Sequence, residues 1–321
     1  MSRHPVIDRS TRLLVVAPHP DDESLAAGML IQRVLGAGGR VDVLLLTDGD
    51  DNPWPQRWME RRLVIDAAAR ARWGARRRKE VGAALARLGV GPDHLHAFGW
   101  HDMQVTEELR LRHGQAVGAM RRVVERTRPN LVVIPDLGDT HPDHGSAHVL
   151  ARLALAATGS TADVLTYMVH GTEQSAPEDL LVLDADPERQ ATKIHAVLEH
   201  ATQMALSRKR MLGVASRPER FDRPQPAPVG GHVRLPWQPG PLARLRLRVV
   251  LVDGQGAAVW PWRKAPLEPS GDGGWLLPLR DVPGPAFVKL TADLSTPWIY
   301  DRYGWAGQDP DPVGLVARPL A

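Results

Sequence analysis

The chain has 321 residues, more than one average domain needs, and its 43% apolar content is enough for an ordinary globular core. It contains no cysteine, which excludes disulfides and thiolate metal sites and leaves His, Asp and Glu as the available metal ligands. The net charge of +3 is small, and no run of eighteen apolar residues exists to span a membrane.

The opening "MSRHPVIDRSTRLLVVAP" has too short an apolar run for a secretory signal and reads as a lead-in to a first strand, "RLLVVA" (12 to 17). With export and membrane signals missing, a cytoplasmic location is expected. A helix over 23 to 38 follows, then "RVDVLLLT" (40 to 47), a continuous leucine and β-branched run typical of a strand covered on both faces. The arginine-dense stretch over 61 to 80 sits in a long amphipathic helix, about 59 to 88, that ends at Gly89. Val64, Ile65, Ala68, Leu85 and Leu88 are expected to face inward, with the arginines in solvent. No stacking aromatics or nucleic-acid motif accompany that block, so no nucleic-acid partner is expected.

Next come a strand at 94 to 99, a helix over 113 to 128, a strand "NLVVIP" (130 to 135) and a helix over 145 to 157. Strands near 163 to 169 and 180 to 184 and a helix over 187 to 212 complete the pattern. Such alternation predicts an α/β fold with a mostly parallel, helix-covered sheet. Ligands in these folds bind beyond the carboxyl ends of the strands, where "HPDDE" and "DLGDTHPDH" both lie. His19 and Asp22 are three apart on a turn entering a helix, and His141, Asp143, His144 and His148 leave a later strand. Two imidazoles and a carboxylate around a divalent ion, with positions left for water and substrate, make a catalytic metal site.

"PHPDDES" followed by "HPDHGSAH" resembles the PIG-L/LmbE family of zinc-dependent N-acetylglucosaminyl deacetylases, over roughly residues 10 to 222. Weaker matches are "TDGD" (47 to 50), Arg77 with Glu80, Lys193, His200, Gln203 and "PERF" (218 to 221). The resemblance implies a Rossmann-like sheet and hydrolysis of an N-acetylglucosamine-type sugar within a larger glycoconjugate. It implies one Zn²⁺ per chain, or another divalent metal, held by His19, Asp22 and His144. Asp21 would be the general base, His141 the oxyanion stabiliser and acid, and Asp143 the residue that orients His141 or His144. Arg77 and Asp102 would meet the substrate, and His148 would serve packing. Where some members carry a tyrosine two residues before the histidine matching His141, this chain has Asp139, so either the oxyanion is handled without a phenol or Tyr167 or His170 substitutes. "GWHDMQV" around Asp102 replaces the more usual "GLPDG", which points to a different pocket lip. Rival readings are hydrolysis of another acylated amine or natural product, and a sugar-binding protein without activity. The second is disfavoured because binding alone needs no base beside a metal.

After Phe221 the composition changes. Residues 222 to 241 are rich in proline and glycine, and "ARLRLRVVLVDGQGAAVWPW" (243 to 262) alternates apolar and basic residues around a turn at Asp253-Gly254. The stretches 274 to 282 and 286 to 294 alternate too, which predicts a small antiparallel, sandwich-like β-domain over 223 to 321, joined to a deacetylase-like domain over 1 to 222. Six of the ten tryptophans lie from Trp237 onward, among them Trp260, Trp262, Trp298 and Trp305. They serve either as platforms for sugar rings or as the core of the domain and its contact with the catalytic half.

Overall fold

Three apolar runs, at 12 to 17, 40 to 47 and 131 to 135, lie side by side at the centre of a five-stranded parallel sheet. The computed structural model describes residues 5–171, 181–183, 186–224, 231–282, 284–292, 300 and 302–307. In chain order the first half contains β1 (Arg12–Ala17), α1 (Asp22–Gly36), β2 (Arg40–Thr47), α2 (Pro53–Glu60) and α3 (Ala67–Arg87). It continues with β3 (Leu95–Trp100), α4 (Val105–Leu111), α5 (His113–Thr127), β4 (Leu131–Pro135), α6 (Pro142–Ala157) and β5 (Asp163–Tyr167). Then follow β6 (Leu181–Val182), α7 (Pro187–Leu198), α8 (Ala201–Ala215) and β7 (Arg220–Phe221).

The strand order is β3-β2-β1-β4-β5, all parallel. Alternate side chains of each central strand enter opposite cores. Leu13, Val15, Val43 and Val133 join α1, α3 and α7 on one face, whereas Leu14, Val16, Leu44 and Ile134 join α5 and α6 on the other. The order reverses between β1 and β4, so the connections after these two strands leave on opposite faces and open a crevice between them.

The long helix expected over 59 to 88 is two helices. Arg61 adopts left-handed φ 51° and ends α2, and Asp66 caps α3 by accepting the Ala69 N–H at 2.7 Å. Val64 is consequently 78% exposed and Ala68 is exposed, while Ala69, Trp73, Val81, Ala84 and Leu85 face inward. The helix expected over 187 to 212 breaks at Glu199–His200, where the buried His200 ring turns to Glu23 at 3.2 Å. The segment near 180 to 184 forms β6, which pairs with β7 outside the main sheet. Helix α4 has no counterpart in the sequence reading. No helix among the described residues is long and apolar enough to cross a membrane.

Beyond residue 230 lie β8 (His232–Leu235), α9 (Pro241–Arg244), β9 (Leu247–Asp253), β10 (Gly256–Pro261), β11 (Glu268–Pro269), β12 (Trp275–Pro278), β13 (Phe287–Ala292) and β14 (Trp305–Ala306). These make two antiparallel sheets, β10-β9-β13-β14 and β11-β12-β8. The predicted hairpin is present, with Asp253 opposite Gly256. Leu247, Val249 and Leu251 of β9 pack with Val233, Trp262 and Leu277 between the sheets, as in a sandwich. Val250 and Val252, on the opposite face, join Phe287 and Trp305 in the core that also holds α5 and α6. The larger sheet is therefore buried on both faces. Trp262 and Trp305 are buried, and Trp237, Trp260 and Trp275 pack against the sandwich core. Trp298 lies outside the described residues.

Candidate active site

The crevice at the switch point is where the two polar motifs meet. Pro18, His19, Pro20 and Asp21 turn the chain from β1 into α1, and Pro142, at the first position of α6, starts the other helix directly after His141. His141, Asp143 and His144 thus sit on the first turn of a helix that begins three residues earlier than the periodicity of the sequence suggests.

His19 lies among carboxylates. Its Nδ1 is 3.3 Å from Asp22 Oδ2, and its Nε2 is 3.1 Å from Asp102 Oδ1 and 3.3 Å from Asp143 Oδ2. Burial opposes a charge on this ring, but the three carboxylates overcome it and hold the imidazole well above its usual range. His144 is fully buried, with Nε2 3.2 Å from the same Asp22 Oδ2 and Nδ1 3.0 Å from Asp139 Oδ2. Neither nitrogen has hydrogen-bond alignment with its carboxylate. Burial again opposes charge, and Asp139 and Asp22 push this imidazole up to about 10. One oxygen of Asp22 therefore faces both histidines that the sequence pairs with it. Three sets each bring one ligand atom per residue within 4.8 Å of one another: His19, His141 and His144; Asp139, His144 and His170; and His19, Asp102 and Asp143.

Asp21 has φ 141°, a conformation that side chains with a Cβ rarely adopt. Its carbonyl accepts the N–H groups of Ser24 and Leu25 at 3.1 and 2.9 Å, and its own N–H donates to Glu23 Oε2 at 3.1 Å. Burial raises its carboxyl to about 6, against the pull of the Arg77 guanidinium, whose Nη2 is 3.3 Å away. Arg77 is buried, and its Nη atoms also donate to the carbonyls of Gly49 and Pro20 at 2.8 and 2.7 Å. It clamps the Asp21 turn and also lines the cavity. Gly49, at φ 61°, must lack a side chain because a Cβ there would collide with this guanidinium.

His141 caps α6. Its Nδ1 accepts the Asp143 N–H at 3.3 Å, and burial, with His19 and His144 nearby, holds the ring well below its usual range. The Asp143 carboxylate goes elsewhere than expected: it accepts the N–H groups of Met103 and Val105 at 2.7 and 3.1 Å and meets His19, not His141 or His144. Asp102 lines the cavity but turns Oδ1 to His19, and its N–H is held by Asp50 Oδ1 at 2.9 Å.

The residue that fastens His144 is Asp139, which the sequence marks only as a departure. Its Oδ1 accepts the His141 N–H at 2.9 Å and its Oδ2 accepts those of Val169 and His170, both at 3.0 Å. Tyr167 cannot replace the missing phenol, since its hydroxyl donates to the Val16 carbonyl at 2.8 Å within the core. His170 does line the cavity, which measures about 130 Å³, and so does Tyr300, 5.9 Å from it between ring centres. Tyr300 comes from the second half of the chain, and no local pattern announces it. Of the other motif residues, Lys193 pairs with Glu219 at 2.7 Å, Glu80 accepts from Thr202 N and Oγ1, and Gln203 lines the cavity. Buried His148 has Nδ1 2.9 Å from the Pro135 carbonyl and packs edge-on to Phe287.

Residues 14–155 match the PIG-L family model, described as GlcNAc-PI de-N-acetylase. A 1D-myo-inositol 2-acetamido-2-deoxy-alpha-D-glucopyranoside deacetylase of Mycobacteroides abscessus is 31% identical over 234 residues, which cover 61% of this chain and 82% of that protein. The chain belongs to the PIG-L/LmbE family. A relative of the same printed name from Mycobacterium leprae is 35% identical over 169 residues, 49% of this chain and 54% of that protein. Among solved structures, a deacetylase triple mutant of the teicoplanin biosynthetic pathway aligns with TM-score 0.51 and 23% identity, covering 66% of this chain and 97% of its own. The N,N'-diacetylchitobiose deacetylase of Pyrococcus horikoshii aligns with TM-score 0.50 and 17% identity over 78% of this chain and 84% of its own. These two show a shared fold.

Proposed function

We propose that this chain is a divalent-metal-dependent N-deacetylase that hydrolyses the acetamide of an N-acetylglucosamine-type unit in a larger glycoconjugate. The observation that carries the reading is Asp22 Oδ2, set between His19 Nδ1 at 3.3 Å and His144 Nε2 at 3.2 Å. A buried carboxylate facing two imidazoles, one of them without an aligned hydrogen bond at either nitrogen, is a donor set suited to a cation. The names of the family relatives support the reaction class.

In this proposal His19, Asp22 and His144 hold one Zn²⁺ or a comparable divalent ion. When bound, such an ion supplies Lewis acidity to a water and to the acyl carbonyl. Asp21, next to a ligand and carrying a carboxyl raised to about 6, takes the proton from the attacking water. Arg77 keeps its carboxylate aimed. His141 is neutral, and because its Nδ1 accepts the Asp143 N–H, the ring proton resides on Nε2. That N–H donates to the developing oxyanion, and the proton that Asp21 takes from the water is the one delivered to the leaving amine. Asp139 and Asp143 fix the aim of His144 and His19, as carboxylates behind ligating imidazoles do. Leu25, Met211 and Val214 line the outer cavity with Arg210 and Tyr300, and this amphipathic wall favours a second reading, hydrolysis of a different acylated amine. Acetate release from a panel of N-acetyl sugars by the zinc-loaded chain, with amine appearance measured in parallel, separates the two. No acetate from any sugar, with amine released from another acylated amine, would move the assignment to the second reading.

A further inference from the structure

The second half of the chain touches the catalytic helix directly, behind the site. Trp305, on β14, donates its indole N–H to Ser146 Oγ at 2.9 Å, in a buried position two residues beyond His144. The same Oγ shares a hydrogen bond of 2.7 Å with Thr106 Oγ1. Thr106 follows Val105, whose N–H holds Asp143 at 3.1 Å, and Asp143 in turn meets His19 at 3.3 Å. Between His144 and Ser146 stands Gly145, where a Cβ would lie 2.9 Å from Trp305 Cδ1, so the indole rests directly on the backbone of the first turn. Lys289 of β13 places its ammonium 5.7 Å from the Trp305 ring centre.

We propose that Trp305 is a positioning residue of the active site: its indole fixes Ser146 and Thr106 and so sets the first turn of α6 and the loop that holds Asp143. The inference rests on the reading of His19 and His144 as metal ligands. It gives the C-terminal sheets a role in the reaction that does not require them to touch substrate. Both histidines are steered from one indole, His144 through the helix backbone and His19 through Thr106, Val105 and Asp143.

The test compares two buried tryptophans. Trp305→Phe keeps an aromatic ring on Gly145 and removes the N–H, while Trp262→Phe alters the sandwich core away from α6. Zinc affinity is read by chelator competition, kcat and KM on an N-acetyl sugar, and stability by thermal melting. Trp305→Phe should lose about tenfold in zinc affinity and in kcat with KM within about twofold, the scale seen when a partner behind a ligand is removed. Ser146→Ala should do the same, and the double variant should lose no more than either single one, because both break one chain of contacts. Trp262→Phe should melt earlier and keep zinc affinity and kcat. Wild-type zinc affinity in Trp305→Phe, or an equal loss in Trp262→Phe, would overturn the inference. A wild-type chain that binds zinc but releases no acetate would instead overturn the functional reading and leave the affinity comparison decisive. A wild-type chain that binds no zinc overturns both.

Discussion

The rim of the parallel sheet and the C-terminal sandwich are both buried, yet they are built of opposite materials. At the rim, His19, Asp22, Asp102, Asp139, Asp143 and His144 are all less than 9% exposed, and each meets an opposite charge. In the described part of the sandwich the buried charged residues are Asp253 and Lys289, and the other buried residues are apolar. Burying an ion costs several kcal/mol even when it is paired. A buried aliphatic or aromatic side chain returns about 1.5–3 kcal/mol. The rim, on those terms, gains less from its own pairs than from the apolar packing beside it. It is held from the α6 side by a core that Val250, Val252, Phe287 and Trp305 complete.

Removing the sandwich is expected to have the largest effect on the rim. A chain ending at residue 222 leaves the α5 and α6 face without those four partners, and it is expected to be insoluble on expression. A soluble fragment with full activity on a monosaccharide would show that the rim stands alone.

Next in size are changes that leave the cores intact and act on the rim. His19→Ala and His144→Ala should strip the metal, as elemental analysis would report. Asp21→Asn should keep it and lose about 10²- to 10⁴-fold in kcat, the usual contribution of a general base. Near-normal turnover in Asp21→Asn would remove Asp21 from the chemistry.

A smaller effect is expected one layer back. Gly49→Ala forces a side chain onto a φ of 61° and against Arg77, at a cost of about 1–3 kcal/mol in unfolding free energy. Arg77→Ala should lower kcat and leave KM within about twofold, because its donors serve Gly49, Pro20 and Asp21. A raised KM with unchanged kcat would restore it to the substrate.

These cases also show what a sequence discloses. The central strands were legible because a run such as "RVDVLLLT" admits few alternatives to a strand covered on both faces. The paired motifs were legible because clustered His and Asp at strand ends have few structural uses. The break at residues 61 to 66 was hidden by the arginine density around it, although Asp66 is a recognisable cap. Asp139 and Tyr300 were illegible for another reason. Asp139 acts through a close ion pair with His144 and hydrogen bonds from three backbone amides, and Tyr300 reaches the cavity across more than a hundred residues of chain. Neither leaves a local spacing to read.

The seam between rim and sandwich offers a last, milder probe in His148. It is 2% exposed, packed on Phe287 and bound to the Pro135 carbonyl. Burial, with the charge of Arg152 adding, lowers its pKa to about 3. An unfolded histidine titrates near 6.5, so below that pH the unfolded chain takes up a proton that the folded chain refuses. The stability due to neutral His148 is therefore complete above pH 6.5 and is lost as the pH falls toward 3. The slope is about 1.4 kcal/mol per pH unit, so roughly 2 kcal/mol disappears between pH 6.5 and 5. His148→Gln retains an N–H for Pro135 and removes the titration. Urea unfolding of both proteins at pH 6.5 and 5 should show the variant losing about 2 kcal/mol less than the wild type over that interval. Equal losses would mean that His148 accepts a proton without opening the seam, and that the contact between rim and sandwich is looser than the packing of Phe287 on α6 implies.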